Sequence, residues 1–162
     1  MSMLYLASGS PRRRELLGQI GVPFTTLPTV IDETPLPNEA AAAYVQRLAC
    51  AKAQAGLSSL AVPGTAVVLG ADTTVSIDGL ILGKPREADE ARHMLRRLSG
   101  RMHEVPTGVA LTDGTRTQAT ASTSRVWFTA LAGEDIERYL ATGEPWDKAG
   151  AYAYQGRAAA FI

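Results

Sequence analysis

Residues 4–13 read Leu-Tyr-Leu-Ala-Ser-Gly-Ser-Pro-Arg-Arg, a short apolar run followed by small residues, a proline and two arginines. The apolar run predicts a strand. Ser10 followed by Pro11 is typical of a helix start, because serine is a favoured N-cap and proline fits the first helical position. The free backbone N–H groups at such a helix start point at a ligand. The segment therefore predicts a strand, a turn and a helix, with a candidate anion site at the turn.

Three consecutive arginines, Arg12 to Arg14, fall in the first turn of this predicted helix. The helix dipole makes that end positive, so a cation there is unfavourable by up to about 1 kcal/mol. A bound polyanion removes the conflict, because guanidinium and backbone N–H groups then converge on the same phosphate oxygens. An isolated Arg-Arg pair is more often a solvated basic turn. The small-residue turn and the Ser10 cap favour the phosphate interpretation here.

The bulk composition excludes several classes of protein. A chain of 162 residues is long enough for one domain, and its 16 basic and 16 acidic residues cancel. We therefore expect neither a nucleic-acid nor a membrane partner, and any anion affinity must be local. The single cysteine, Cys50, cannot form an internal disulfide and is expected to fill the core. Without a signal peptide or an apolar run of membrane length, the sequence predicts a cytoplasmic protein.

Hydrophobic periodicity predicts an α/β fold. Asp78-Gly79 and Asp113-Gly114 are typical of type I′ hairpin turns, so antiparallel pairs alternate with helices and the sheet should be mixed. Asn38 is the predicted N-cap of the second helix. The helical patterns cover 11–20, 38–57, 86–99 and 133–142, and the strand patterns cover 3–7, 22–28, 65–70, 73–77, 80–83, 104–112 and 117–129.

An apolar strand pattern delivers Asp72 to the start of the first hairpin. Counting outward from a two-residue turn at 78–79 places Thr73 opposite Lys84, so we expect Asp72 and Lys84 to be near neighbours unless a bulge changes the register. Taken alone, such a pair is an ordinary surface ion pair worth about 0–1 kcal/mol. Beside a phosphate loop, Asp72 is a candidate general base or metal ligand and Lys84 a candidate phosphate ligand.

Two further charges stand in unusual positions. Lys52 continues the stripe of Tyr44 and Leu48 at a spacing of four, so it points toward the surface that these residues bury. A lysine in that position more often extends its amine to the edge of the apolar surface. Glu33 lies in a loop where carboxylates are usually solvated, but Glu33 and Asp72 together would supply two oxygen ligands for a hard divalent cation.

No common nucleotide or hydrolase motif is present, since the chain lacks a Walker motif, a spaced G-x-G-x-x-G and a G-x-S-x-G. His93 is expected to be exposed. His103 has neither a cysteine nor a second histidine at metal-ligand spacing, so we expect no histidine metal site.

Separate motifs along the chain together resemble the Maf family, in collinear order over nearly the whole length. They are Ser8-Gly-Ser-Pro-Arg-Arg, Asp32-Glu33, Lys52-Ala53, Gly70-Ala-Asp-Thr, Gly83-Lys-Pro, Leu98-Ser-Gly-Arg and Asp147-Lys-Ala-Gly-Ala-Tyr-x-x-Gln-Gly. The family comprises nucleoside triphosphate pyrophosphatases with an ITPase-like fold. The resemblance implies a single domain over 1–162, with a mixed β-sheet, flanking helices and a central cleft between two lobes.

The resemblance also implies a reaction and a site. A nucleoside triphosphate would be hydrolysed between its α- and β-phosphates, giving a monophosphate and pyrophosphate, with Mg²⁺ or Mn²⁺ as cofactor. By position, Asp72 would accept a proton from the attacking water, and Glu33 and Asp72 would hold the metal. The implied phosphate-binding residues are Ser8, Arg12, Arg13, Lys52 and Lys84. The implied specificity residues are Arg12, Thr73 and Gln155, which are similar to those of the subgroup acting on dTTP and UTP rather than 7-methyl-GTP.

Family members usually continue through a Gly-rich strand and a final helix. This chain ends at Phe161-Ile162, within what we interpret as a strand, so the resemblance implies that these last elements are missing. The implied role includes removal of modified nucleotides from the pool.

An alternative of another class is a nucleotide-binding regulator of cell division with little turnover, because Maf-like proteins are associated with inhibition of septum formation. A carboxylate positioned as a base favours the enzyme, since a pure binder has no need of Asp72 beside phosphates that it repels. The oligomeric state is left open by the sequence, and a homodimer is one of its alternatives.

Overall fold

The computed structural model describes residues 3–61 and 64–162. The chain divides into two compact units, the first formed by Met1–Asp72 and Thr107–Ser122 and the second by Thr73–Pro106 and Thr123–Ile162. In chain order the elements are β1 (Met3–Ala7), α1 (Pro11–Gln19), β2 (Thr25–Thr26), α2 (Ala41–Ser58), β3 (Ala66–Thr73), β4 (Val75–Ile77), β5 (Leu80–Leu82), α3 (Ala88–Leu98), β6 (Met102–Thr112), β7 (Thr117–Trp127), α4 (Gly133–Leu140) and two 3₁₀ helices (Ala149–Ala151 and Arg157–Phe161).

The first unit is built on parallel strands in the order β2-β1-β3, with β6 on the other side of β3. β1 runs parallel to β3 over its whole length, from Met3 opposite Ala66 to Ala7 opposite Gly70. Helix α2 covers this sheet with its apolar face, on which Val45 and Leu48 are completely buried. A helix over parallel strands is the arrangement that alternating strand and helix patterns predict.

Helix α2 and strand β3 approach each other without an intervening side chain. A Cβ atom added at Gly70 would collide with the backbone of Ala49 and Ala53 in α2. Only glycine permits such an approach at this position, since any side chain would push the helix off the sheet. This contact brings the part of α2 that carries Lys52 close to the end of β3 that carries Asp72.

The second unit is antiparallel. The β4–β5 hairpin pairs Ile77 with Leu80 and Val75 with Leu82, as the predicted register requires. Asp78 and Gly79 have φ values of 54° and 74°, which confirms the type I′ turn. Helices α3 and α4 bury their apolar faces in one core, which includes Ala91, Leu95, Leu98, Ile136 and Tyr139. The mixed α/β class predicted from the sequence is therefore confirmed.

His103 lies in the core of the second unit, where it is 1% exposed and its Nε2 atom is 2.7 Å from the Tyr152 hydroxyl. Burial lowers the pKa of His103 to about 4, so the ring is neutral at physiological pH. It packs edge-on against Phe128 and Tyr152. His103 is therefore a core residue of this unit, and the expectation that it does not bind metal stays a prediction.

Several predicted boundaries were wrong. Helix α2 begins at Ala41 with Ala40 as its N-cap, while Asn38 adopts a φ of 58°. The Glu39 carboxylate accepts hydrogen bonds from the Leu36 N–H and the Arg47 guanidinium, which fixes a turn before the helix. Strand β2 spans only Thr25–Thr26, because prolines on both sides provide no N–H for the ladder.

One turn and the last residues of the chain also differ from their predictions. The β6–β7 connection is a longer loop than a type I′ turn, because the Asp113 carboxylate accepts hydrogen bonds from the N–H groups of Thr115 and Arg116. The last residues form a 3₁₀ helix at Arg157–Phe161 instead of a strand.

Among the described residues, no helix is long and apolar enough to cross a membrane.

Replacing Gly70 with alanine should lower the free energy of unfolding by about 1–3 kcal/mol, because the added methyl group must push α2 away from β3. The matched control is Gly18→Ala in α1, where the new Cβ meets no atom within 4 Å apart from its own neighbours and the backbone of its helix. There the free energy should stay the same or rise, since alanine is the better helix former by about 1 kcal/mol. Urea unfolding followed by circular dichroism measures both. Equal stability of Gly70→Ala and wild type would contradict the close approach.

Candidate active site

The turn after β1 is organised by the hydroxyl of Ser8. This residue follows the last residue of β1 and is only 5% exposed. Its Oγ atom accepts hydrogen bonds from the Ser10 N–H at 3.3 Å and from Nη1 of Arg13 at 2.9 Å. Ser10 is the N-cap of α1 and Pro11 is its first residue, as predicted, but the Ser10 side chain makes no capping hydrogen bond. The turn therefore directs Arg13 back over the carboxyl end of β1.

A lysine lies between two carboxylates at the end of β3. The Lys52 ammonium is 2.7 Å from Oδ1 of Asp72 and 2.7 Å from Oε1 of Glu33. The side chains of Lys52 and Asp72 are 12% and 10% exposed, whereas that of Glu33 is 45% exposed. Two carboxylates from distant parts of the chain thus converge on one cation that is almost buried.

The electrostatics connect this trio to Arg13. Burial raises the pKa of Asp72, while the hydrogen bond and charge of Lys52 and the charge of Arg13 oppose that rise. Burial lowers the pKa of Arg13, and the nearby charges of Asp72 and Glu33 oppose that effect. Two cations and two carboxylates therefore form a balanced group. We call Ser8, Arg13, Glu33, Lys52 and Asp72 the charged cluster.

The loop that carries Glu33 is held from α2. The Tyr44 hydroxyl donates a hydrogen bond of 2.7 Å to the backbone carbonyl of Glu33. Burial, with the carboxylates of Asp72 and Glu33, raises the pKa of Tyr44 to about 12, so the hydroxyl remains a donor. Arg47 binds Glu39 and donates to the Thr34 carbonyl, which fixes the other side of the loop. One face of α2 thus supplies Lys52 and also positions its Glu33 partner.

The other candidate residues are Arg12 at the start of α1 and three residues of the second unit. Arg12 forms an exposed ion pair with Glu15 at 2.9 Å. Thr73, Lys84 and Gln155 belong to the second unit, where each is exposed. Their proposed contacts with the charged cluster stay predictions.

The sequence predicted that Thr73 pairs with Lys84 across the β4–β5 hairpin, but the ladder ends before these residues. Its outermost pair is Val75 with Leu82, and Thr74 donates its N–H to the Pro106 carbonyl instead. The lysine that contacts Asp72 in the first unit is Lys52. The sequence indicated Lys52 through the spacing of four from Tyr44 to Leu48 to Lys52, because this spacing places a charge on an otherwise buried helix face. The role of Tyr44 in holding Glu33 was not predicted, since a buried tyrosine gives no sign of its hydrogen-bond partner.

The described residues contain no group of three or more histidine, cysteine or acidic side chains that could hold a metal ion by themselves. A cation at Glu33 and Asp72 would therefore need further oxygen ligands from water or a substrate. This is how Mg²⁺ is usually bound, since it keeps several waters and takes one or two carboxylates together with substrate phosphates.

The fold defines the class to which the chain belongs. The structure resembles that of the Ham1 protein of Staphylococcus aureus, with a TM-score of 0.55 over 99% of this chain and 91% of the other, at 12% identity. At that identity the likeness shows the fold alone, an α/β fold with a mixed sheet.

The sequence identifies the family within this class. Residues 3–162 match the family model described as "Maf-like protein". The chain is 53% identical to a "dTTP/UTP pyrophosphatase" of Aromatoleum aromaticum, over 98% of this chain and 82% of that protein. It is 51% identical to one of Chromobacterium violaceum, over 98% of this chain and 81% of that protein. This chain belongs to the Maf family.

Replacing Lys52 with methionine should lower the free energy of unfolding by about 2 kcal/mol or more, because Asp72 would lose its close cationic partner while staying buried. Adding Asp72→Asn should restore part of the loss, giving a coupling energy of about 1 kcal/mol or more in a double-mutant cycle.

The control for this cycle is Arg12→Met, which removes one side of the exposed pair with Glu15 and should change stability by no more than about 1 kcal/mol. Urea titrations of all four variants and wild type provide the measurement. Additive effects of the Lys52 and Asp72 replacements would show that the two side chains do not interact.

Proposed function

We propose that this chain is a nucleoside triphosphate pyrophosphatase that hydrolyses dTTP and UTP to the monophosphate and pyrophosphate. The observation that carries the proposal is the charged cluster, in which a buried carboxylate at a strand end lies beside a lysine and an arginine. The relatives that are 51–53% identical over nearly the whole chain carry the name of this activity. A buried base beside phosphate-binding cations is what anhydride hydrolysis requires.

Asp72 is the proposed general base. Its side chain is held at the end of β3 by the hydrogen bond from Lys52, which leaves a second carboxylate oxygen for a water molecule. Burial raises its pKa, and a less acidic carboxylate is a stronger proton acceptor while it remains ionised. When water adds across the anhydride bond, Asp72 takes the proton that the water loses.

The proposed phosphate ligands of the first unit are Ser8, Arg13 and Lys52. Ser8 and Arg13 are already hydrogen-bonded to each other, so the guanidinium approaches the substrate from a fixed position. A guanidinium binds phosphate oxygens through parallel hydrogen bonds, whereas an ammonium acts as a point charge. Arg12 at the start of α1 and Lys84 after β5 are proposed to complete the phosphate site.

The donor set fits a hard divalent cation. Oxygen atoms of Glu33 and Asp72 each lie 2.7 Å from the same ammonium, so both carboxylates already converge on one positive charge. We propose that Glu33 and Asp72 would hold Mg²⁺ or Mn²⁺, with Lys52 moving toward the phosphates. When bound, the metal would neutralise charge that develops on the phosphate oxygens. Tyr44, which fixes the backbone of Glu33, keeps that ligand in place.

Base recognition is proposed for Arg12, Thr73 and Gln155, the residues that resemble the dTTP/UTP subgroup. The Gln155 amide can donate to a carbonyl of thymine or uracil and accept from the imide N–H. Cytosine has an acceptor in place of that imide N–H, so one contact becomes repulsive. The resulting preference would be for dTTP and UTP over CTP.

The setting of the activity is also a proposal. The single cysteine and the cancelled charges fit a cytoplasmic protein that binds a small molecule rather than nucleic acid. Hydrolysis of modified nucleotides in the pool and formation of a homodimer both accord with this role. The alternative is a regulator of cell division that binds nucleotides with little turnover. Measuring nucleotide binding and pyrophosphate release together distinguishes it from the enzyme.

Replacing Asp72 with asparagine should lower kcat by about 10² or more, because the amide cannot accept the proton of the attacking water. The amide oxygen still accepts the hydrogen bond of Lys52, and nucleotide binding should persist since a negative charge near the phosphates has gone. The control is Asp113→Asn, which makes the same chemical change in the β6–β7 loop and should leave kcat unchanged. Pyrophosphate release measures turnover and calorimetry measures binding. Near-normal turnover of Asp72→Asn would contradict its role as base.

A panel of triphosphates tests the substrate. With Mg²⁺ or Mn²⁺, kcat/KM should be higher for dTTP and UTP than for CTP, with 7-methyl-GTP poor, because the site is built to bind the imide edge. Activity should disappear in EDTA and return when the cation is restored. A preference for 7-methyl-GTP would overturn the base assignment alone, and full activity in EDTA would overturn the metal assignment. Nucleotide binding without pyrophosphate release would favour the regulator.

A further inference from the structure

The segment that carries Gln155 is held by one carboxylate of its own unit. Glu144 lies after α4, and its Oε1 and Oε2 atoms accept the Arg157 N–H at 2.9 and 3.0 Å. Oε2 also accepts the Ala158 N–H at 3.3 Å. These two N–H groups begin the 3₁₀ helix that directly follows a turn over residues 153–156, which we call the Gln155 turn. The carboxylate therefore fixes the chain two and three residues beyond Gln155.

A tyrosine fixes the same segment from the other side. The Tyr139 hydroxyl accepts the Ala153 N–H at 3.1 Å and donates to Oε2 of Glu144 at 2.7 Å. Ala153 lies two residues before Gln155, and its carbonyl accepts the Gly156 N–H at 3.0 Å, which closes the turn. Tyr139 is a buried residue of the α3–α4 core. Both ends of the turn are thus connected through Glu144 and Tyr139 to the core of the second unit.

The backbone of the turn lies against the Glu144 carboxylate. A Cβ atom added at Gly156 would collide with the Glu144 carboxylate, so the backbone of the turn lies directly on the carboxylate oxygens. A backbone held by charge-assisted hydrogen bonds at this distance cannot shift without breaking them. Gln155 itself is exposed at the apex. The side chain proposed to read the base is therefore presented on a turn that hydrogen bonds hold on both sides.

We propose that Glu144 is a positioning residue for base selection, acting through the place and orientation of the Gln155 turn. This inference rests on the proposed function, in which Gln155 binds the imide edge of thymine or uracil. A site that reads hydrogen bonds must hold its groups to within about 0.5 Å of the productive geometry. An exposed glutamine on a loose loop would lose discrimination between an imide N–H and a ring acceptor, since it could turn its amide either way.

The test compares four enzymes: wild type, Glu144→Gln, Gln155→Ala and the double variant. In Glu144→Gln the new NH₂ group faces the Arg157 N–H in either orientation of the amide, because both oxygens of Glu144 accept that N–H, so the turn loosens with almost no change in size. The ratio of kcat/KM for dTTP to that for CTP should fall about tenfold, the effect of one lost hydrogen bond in a discriminating site. The loss should lie mainly in KM for dTTP. In the Gln155→Ala background, Glu144→Gln should leave the ratio unchanged.

Controls separate positioning from stability. Glu134→Gln makes the same change at an exposed position of α4 and should leave the ratio at the wild-type value. Tyr139→Phe, which removes only the hydroxyl, serves if Glu144→Gln does not fold, and it should lower the ratio in the same direction. Thermal unfolding of each variant establishes that the fold is intact.

The outcomes distinguish this inference from the function on which it rests. If wild type discriminates and Gln155→Ala does not, while folded Glu144→Gln and Tyr139→Phe keep the wild-type ratio, the positioning role is overturned and the function stands. An equal loss of activity on dTTP, UTP and CTP in Glu144→Gln also overturns it. If wild type hydrolyses none of these nucleotides, or Gln155→Ala keeps the full preference, the proposed function or its Gln155 contact fails, and the inference fails with it.

Discussion

The contact of the Lys52 ammonium with Asp72 and Glu33 is the interaction on which the rest of the candidate site depends. Burial and the negative charge of Glu33 both raise the cost of keeping Asp72 ionised. The ammonium offsets both effects because it lies 2.7 Å from an oxygen of each. Arg13, whose charge acts on both carboxylates, completes a group with two positive and two negative charges. In the proposed function, a metal at the carboxylates and phosphates at the cations would exchange partners within this group.

The fold provides this contact by packing a helix directly onto a strand. Gly70 lets the backbone of α2 approach β3, and the spacing of Tyr44, Leu48 and Lys52 along α2 turns these side chains to the same face. A larger residue at position 70 would separate the ammonium from Asp72 by moving the whole helix. Tyr44 then holds the backbone of Glu33, so one helix face controls the lysine and, through a loop, its second partner. In this unit the geometry of the charged cluster and the packing of the core therefore depend on the same contact.

In the second unit a carboxylate holds the backbone instead of a cation. A glutamate accepts backbone N–H groups and so fixes a turn, as the Glu144 carboxylate does with Arg157 and Ala158. The pKa of Glu144 is lowered although burial alone would raise it, because these hydrogen bonds and that from Tyr139 outweigh the burial. The Glu144 carboxylate faces backbone N–H groups and so holds the chain itself, whereas the carboxylates of Asp72 and Glu33 face the side chain of a lysine. Carboxylates thus hold the backbone in the second unit and a cation in the first.

The sequence by itself determined the mixed α/β class, the four helices, the type I′ turn at Asp78-Gly79 and the short list of charged residues, because periodicity and turn chemistry are local properties. Only the tertiary structure decided that Asp72 contacts Lys52, that Arg13 folds back onto Ser8, and that Tyr44 and Glu144 hold the segments carrying Glu33 and Gln155. The sequence did not predict the start of α2 for the same reason, since the turn before the helix is held by Glu39, which binds Arg47 eight positions along the chain. A sequence shows which side chains carry charge, but the partner of a buried charge depends on which backbones can approach, and at Gly70 that is settled by packing.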